Sequence, residues 1–110
     1  MKNERRDTAR VPIELEVMLN PDTQGYQLFR TRDVSLEGVF VEPASRLAKN
    51  STVNLAIKLT SDGRTRVHRV SARVVRVTPH GAGLAFDDID SEVYAALLEL
   101  VFAQLPKGSF

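Results

Sequence analysis

The chain has no cysteine and no tryptophan, and each absence removes a class of explanation. Without thiols there is neither a disulfide framework nor thiolate ligation of zinc, and nothing ties the chain to an oxidising compartment. Aromatic residues make up only 6% of its 110 positions, few for the stacking platforms that hold single-stranded nucleic acid. No apolar run approaches the roughly 20 residues that span a bilayer. Met1 to Arg10 is polar and charged, with no apolar signal-peptide stretch behind it. A cytoplasmic location without membrane insertion is therefore expected. Charge of one sign is missing too: 15 Lys and Arg face 14 Asp and Glu, a formal net charge of +1, so any anion site must come from local clustering.

What is present is an ordinary globular composition, 43% hydrophobic and 26% charged, at a length that suits one domain with one core. Arginine outnumbers lysine eleven to four. That skew matters because the planar guanidinium fork pairs bidentately with phosphates and with the O6/N7 edge of guanine, whereas lysine acts as a point charge.

Residues 1–12 lack apolar periodicity and read as a flexible arm outside the core, held extended at Val11-Pro12 because the residue before proline avoids helix. The domain proper is expected over 13–110. Ile13, Leu15, Val17 and Leu19 alternate with polar neighbours as in a half-buried strand, and Pro21 to Gly25 supplies a turn. Tyr26–Asp33, Gly38–Glu42 and Thr52–Leu59 read as further strands, the last followed by a hairpin turn at Ser61-Asp62-Gly63. From Arg64 to Val77 the pattern is β-like but changes phase, since Val67, and again Val75 and Val77, fall out of step with Val70, Ala72 and Val74; this predicts a bulge. Gly81–Phe86 is a last strand.

From Ser91 to Leu105 the spacing becomes helical, with Asp90 or Ser91 as the cap and Pro106 and Gly108 as the stop. Several short strands followed by one helix predict an all-β domain, a curled antiparallel sheet or barrel with the helix over an open end. The apolar residues of the helix span about half its circumference, more than the roughly 100° stripe that one core face needs. Dense burial on the barrel and contact with a partner or a second copy both fit, so monomer and weak homodimer stay open. No internal repeat is visible.

No nucleophile and base, phosphate-cradling loop or dinucleotide fingerprint is found. His68 and His80 are far apart, and Asp87, Asp88 and Asp90 lack EF-hand spacing and suit the positive end of the helix instead. Neither enzyme, metal site nor cofactor is expected.

Two short segments carry the functional signal. Arg6-Asp7-Thr8-Ala9-Arg10 places two arginines four residues apart, on one side of the chain, so that two guanidinium groups can converge on one anion. The spacing alone is weak, because Arg69-Val70-Ser71-Ala72-Arg73 repeats it where a solvated strand face is expected. Asp33-Val34-Ser35-Leu36-Glu37-Gly38 gathers an acidic acceptor, a hydroxyl and a glycine able to take positive φ or to let a ligand approach the backbone. Alone, it reads as a β-turn.

Together and in this order, the two segments resemble the two-part signature of the PilZ family. Arg5, Val11-Pro12, Gly38-Val39-Phe40-Val41 and Gly81 to Phe86 extend the likeness from Arg5 through the helix. The resemblance implies a six-stranded antiparallel PilZ-type β-barrel with a C-terminal helix. It also implies a receptor for the bacterial second messenger cyclic di-GMP, contacted by Arg6, Arg10, Asp33, Ser35 and Gly38. Arg5 is similar to an arginine that, in some members, stacks on guanine and favours an intercalated ligand dimer.

Residue chemistry agrees with that placement. Cyclic di-GMP presents two phosphates and two guanines, so arginines suit the diester oxygens and the Hoogsteen edge, and Asp33 suits the N1 and N2 hydrogens. Ordering of the arm by ligand, at about 1–2 kcal/mol per residue fixed, would pass a signal to a downstream protein. Two alternatives stand beside this. One is a PilZ-like adaptor working by protein contact alone, which the intact motifs count against. The other is a single-stranded nucleic-acid barrel using Arg64, Arg66, Arg69, Arg73 and Arg76, against which the scarce aromatics and near-neutral charge count.

Overall fold

Alternating burial makes the strands. In the computed structural model, which describes residues 9–20, 25–44 and 46–104, β1 (Glu16–Asn20) turns Val17 and Leu19 inward, and β2 (Gln27–Val34) turns in Phe29, Thr31 and Val34. After β3 (Gly38–Glu42), β4 (Thr52–Ser61) buries Val53, Leu55, Ile57 and Leu59. β5 (Arg64–Val77) and β6 (Ala82–Phe86) complete a closed antiparallel barrel in the order β1-β2-β3-β6-β5-β4. Between β4 and β5, Asp62 and Gly63 have φ of 54° and 74°, as the primed two-residue hairpin turns require.

The helix α1 (Ser91–Gln104) lays Val93, Ala96, Leu97 and Val101 onto the barrel, chiefly over β4. Asp90 is its cap: the Val93 N–H donates to Asp90 Oδ1 at 2.9 Å. Arg66 of β5 meets Glu92 in the first turn at 2.7 Å. Tyr94 and Phe102 remain 45% and 54% exposed, so the apolar face is wider than its seat on the barrel. No helix among the described residues is long and apolar enough to cross a membrane.

The arm expected to stay outside the core through residue 12 joins the barrel sooner. Val11 is buried and exchanges both backbone hydrogen bonds with Val34, each at 2.9 Å. The first strand begins later than the alternation predicts. Thr31 explains this: its hydroxyl accepts from the Leu15 N–H at 2.8 Å and donates to the Ile13 carbonyl at 2.6 Å, so a side chain replaces part of the ladder.

The expected bulge is present, where the register of β5 on β6 shifts between Val74 and Arg76. Val67 needs no bulge; it lies on the outer face opposite Lys58. A second bulge shifts β2 against β3 between Thr31 and Asp33. Each extra residue re-aims its neighbours, so Arg32 with Asp33, and Val75 with Arg76, lie outside the core in consecutive pairs. The sequence shows no repeat, yet the β2–β3 and β5–β6 hairpins are built alike.

Candidate functional site

The loop from β2 to β3 is organised by one side chain. Ser35 is fully buried. Its N–H donates to the Gly38 carbonyl at 2.9 Å, its hydroxyl donates to the same carbonyl at 3.2 Å, and it accepts from the N–H groups of Glu37 and Gly38, both at 3.1 Å. The Ser35 hydroxyl is thus taken up by the turn itself. Gly38 does not have positive φ; a Cβ there would overlap the Leu84 carbonyl oxygen on β6. Close strand approach, not turn conformation, requires glycine at this position.

Asp33 stands outside this turn, placed by the β2 bulge. The Val11–Val34 bridge carries Arg10 to it, and Arg10 Nη2 lies 3.0 Å from Asp33 Oδ1. The pair lacks the alignment of a hydrogen bond. That oxygen is shielded from water and has no hydrogen-bond donor among the described residues. A buried acceptor left in this state calls for a donor from elsewhere.

Arg10 opens onto a cleft of about 790 Å³ lined also by Glu37, Gly38, Val75, Arg76, Gly83, Leu84 and Ala85. Its floor is the β3–β6–β5 wall. Beside it the Phe40 ring is covered by two guanidinium groups, Arg32 at 5.2 Å and Arg76 at 5.8 Å from the centroid. Arg32 also pairs with Glu42 at 3.4 Å.

The structure therefore brings Arg10, Asp33, Ser35 and Gly38 to one place, Ser35 and Gly38 as its frame. Arg5 and Arg6 lie outside the described residues. Val75 and Arg76 were not among the expected site residues. The phase change in β5 was the available signal, but it does not say which residue is the extra one.

Residues 4–103 match the PilZ domain family. The chain belongs to that family. Two solved structures share the PilZ fold with it at 21% identity. The Bacillus subtilis inhibitor of motility, MotI/DgrA, aligns with a TM-score of 0.75 over 94% of this chain and 52% of its own, so the present chain spans about half its length. The PilZ domain of CeSA from a cellulose-synthesizing bacterium aligns at 0.63 over 86% of this chain and 96% of its own. No curated protein matches.

Other surfaces of this PilZ barrel are poorer candidates. A cleft of about 500 Å³ on the far wall, between Met18, Leu28, Ala56 and Val67, contains no arginine and no motif residue. The basic run does not form one groove: Arg64 and Arg76 sit near opposite ends of β5, about 40 Å apart at strand rise. No cluster of metal ligands occurs among the described residues.

Proposed function

We propose that this PilZ domain is a non-enzymatic receptor for cyclic di-GMP that changes shape on binding and signals to a partner protein in the cytoplasm. The observation that supports this best is the Arg10–Asp33 pair at the edge of the cleft, with a buried carboxylate oxygen that has no hydrogen-bond donor. Guanine supplies adjacent N–H donors for such an oxygen, and an arginine beside it suits a diester oxygen or the O6/N7 edge. Ser35 and Gly38 serve the ligand indirectly, by fixing the turn against which Asp33 is held. In this reading Arg6 joins Arg10 on the phosphates, and Arg5 stacks on a base and favours binding of the ligand as an intercalated dimer. Val75 offers the base an apolar surface.

A second reading, an adaptor that acts by protein contact alone, draws on the exposed Tyr94 and Phe102 of α1. Isothermal titration with cyclic di-GMP separates the two. Saturable heat is expected, with a stoichiometry that distinguishes one ligand from a dimer. Arg10→Ala is expected to weaken binding roughly ten- to hundredfold. A folded protein giving no heat of binding would leave the adaptor reading standing.

A further inference from the structure

The two similar hairpins are related by a local two-fold axis, and this assigns a role to a residue outside the motif. Asp33 opposes Phe40, Phe40 opposes Gly83, and Gly83 opposes Arg76, so these four residues form one row across β2, β3, β6 and β5. The correspondence runs residue by residue. Ser35 matches Thr78, Gly38 matches Gly81, and Thr31 opposite Val41 matches Val74 opposite Leu84. Under this match the Phe40–Gly83 pair falls on the axis, and Arg76 occupies in the second hairpin the place of Asp33 in the first.

Three further observations bear on Arg76. Like Arg64, Arg69 and Arg73, and unlike Arg10, Arg30, Arg32 and Arg66, it makes no ion pair among the described residues. It lines the same cleft as Arg10 and is steadied over the Phe40 ring. Beside it the floor is open: a Cβ on Gly83 would meet nothing closer than 3.8 Å, so packing does not require glycine there, as it does at Gly38 and Gly81.

We infer that Arg76 is a ligand-binding cation for the second half of a two-fold symmetric dinucleotide, which lies from Asp33 across the Gly83 floor. This rests on the cyclic di-GMP reading. Asp33 and Arg76 are three strand spacings apart, about 14 Å, so a ligand held at Asp33 leaves its other half nearest Arg76. In this placement the ligand departs from the barrel's local two-fold: its first half gives N–H donors to Asp33, and its second turns an acceptor, a diester oxygen or the O6/N7 edge of guanine, toward Arg76.

The test is calorimetric titration of cyclic di-GMP into wild type, Arg76→Gln, Arg76→Lys, Gly83→Val and Arg69→Gln, the last removing an equal charge from the same strand outside the cleft. Arg76→Gln is expected to weaken binding roughly ten- to hundredfold, with Arg76→Lys between it and wild type, Arg69→Gln unchanged, and melting temperatures alike. Gly83→Val is expected to weaken binding by obstructing the floor. It carries the test alone if Arg76→Gln does not fold, and wild-type affinity in it then overturns the inference. Wild-type affinity in Arg76→Gln, or an equal loss in Arg69→Gln, overturns the inference and leaves the receptor reading intact. Absence of binding by wild type brings down both.

Discussion

The β2–β3 and β5–β6 hairpins share a turn but not the charge beside it. In the first, Ser35 caps Glu37 and Gly38; in the second, Thr78 accepts from the N–H groups of His80 and Gly81 at 3.1 and 3.2 Å and donates to the Gly81 carbonyl at 3.2 Å. A Cβ on Gly38 would overlap the Leu84 carbonyl, and one on Gly81 the Val41 carbonyl. Hydroxyl and glycine at this spacing are therefore a folding device that the barrel uses twice. What sets the first hairpin apart is the carboxylate two residues before the hydroxyl, with Arg10 brought to it. The motif D-x-S-x-x-G divides accordingly into a chemical residue and a scaffold.

That division can be broken most severely at the glycines. Gly38→Ala and Gly81→Ala both force β3 and β6 apart, and each is expected to cost roughly 3 kcal/mol or more, at the upper end of overpacking, read from urea midpoints. Similar losses in the two variants support a shared structural role, and a mild effect at Gly38 would return that glycine to the ligand. The hydroxyls come next. Ser35→Ala leaves two N–H groups without an acceptor in a buried turn and is expected to cost about 2 kcal/mol. Thr78→Ala, at a turn that water reaches, should cost nearer 1 kcal/mol and leave cyclic di-GMP affinity unchanged. The smallest effect on stability belongs to Asp33→Asn, since a half-exposed ion pair contributes about 0–1 kcal/mol. The same substitution is expected to lower affinity about tenfold or more, and a stability loss matching that of Ser35→Ala would place Asp33 in the scaffold as well.

Much of this was legible in the sequence. All six strands were anticipated, the first and fourth from alternation and the others from short runs between turns, and Asp90 and Gly63 marked a cap and a turn that are found in place. The bulge in β5 was visible as a phase change because apolar residues lie on both sides of it. The bulge in β2 was not, because Arg32 and Asp33 are both polar and leave the hydrophobic rhythm undisturbed. The early seat of Val11 was hidden for a different reason. One isolated bridge has no period, and nothing local tells a valine before proline that it will pair with Val34. The likeness of Ser35 and Thr78 was concealed by the proline and histidine between Thr78 and Gly81, which alter the letters and leave the hydrogen bonds the same.

The Arg10–Asp33 pair also sets terms for what can displace it. A simple anion that draws Arg10 away parts a half-exposed ion pair, at a cost of about 0–1 kcal/mol. A neutral donor that satisfies Asp33 alone leaves the guanidinium to water, which already reaches about half of it. A visitor carrying an acceptor and adjacent N–H donors in one rigid body would engage both partners at once, as the proposed ligand does. On the proposed function, inorganic phosphate, which has no N–H donor for Asp33, is expected to bind more weakly than a guanine nucleotide, and discrimination would begin with a contact the protein makes to itself.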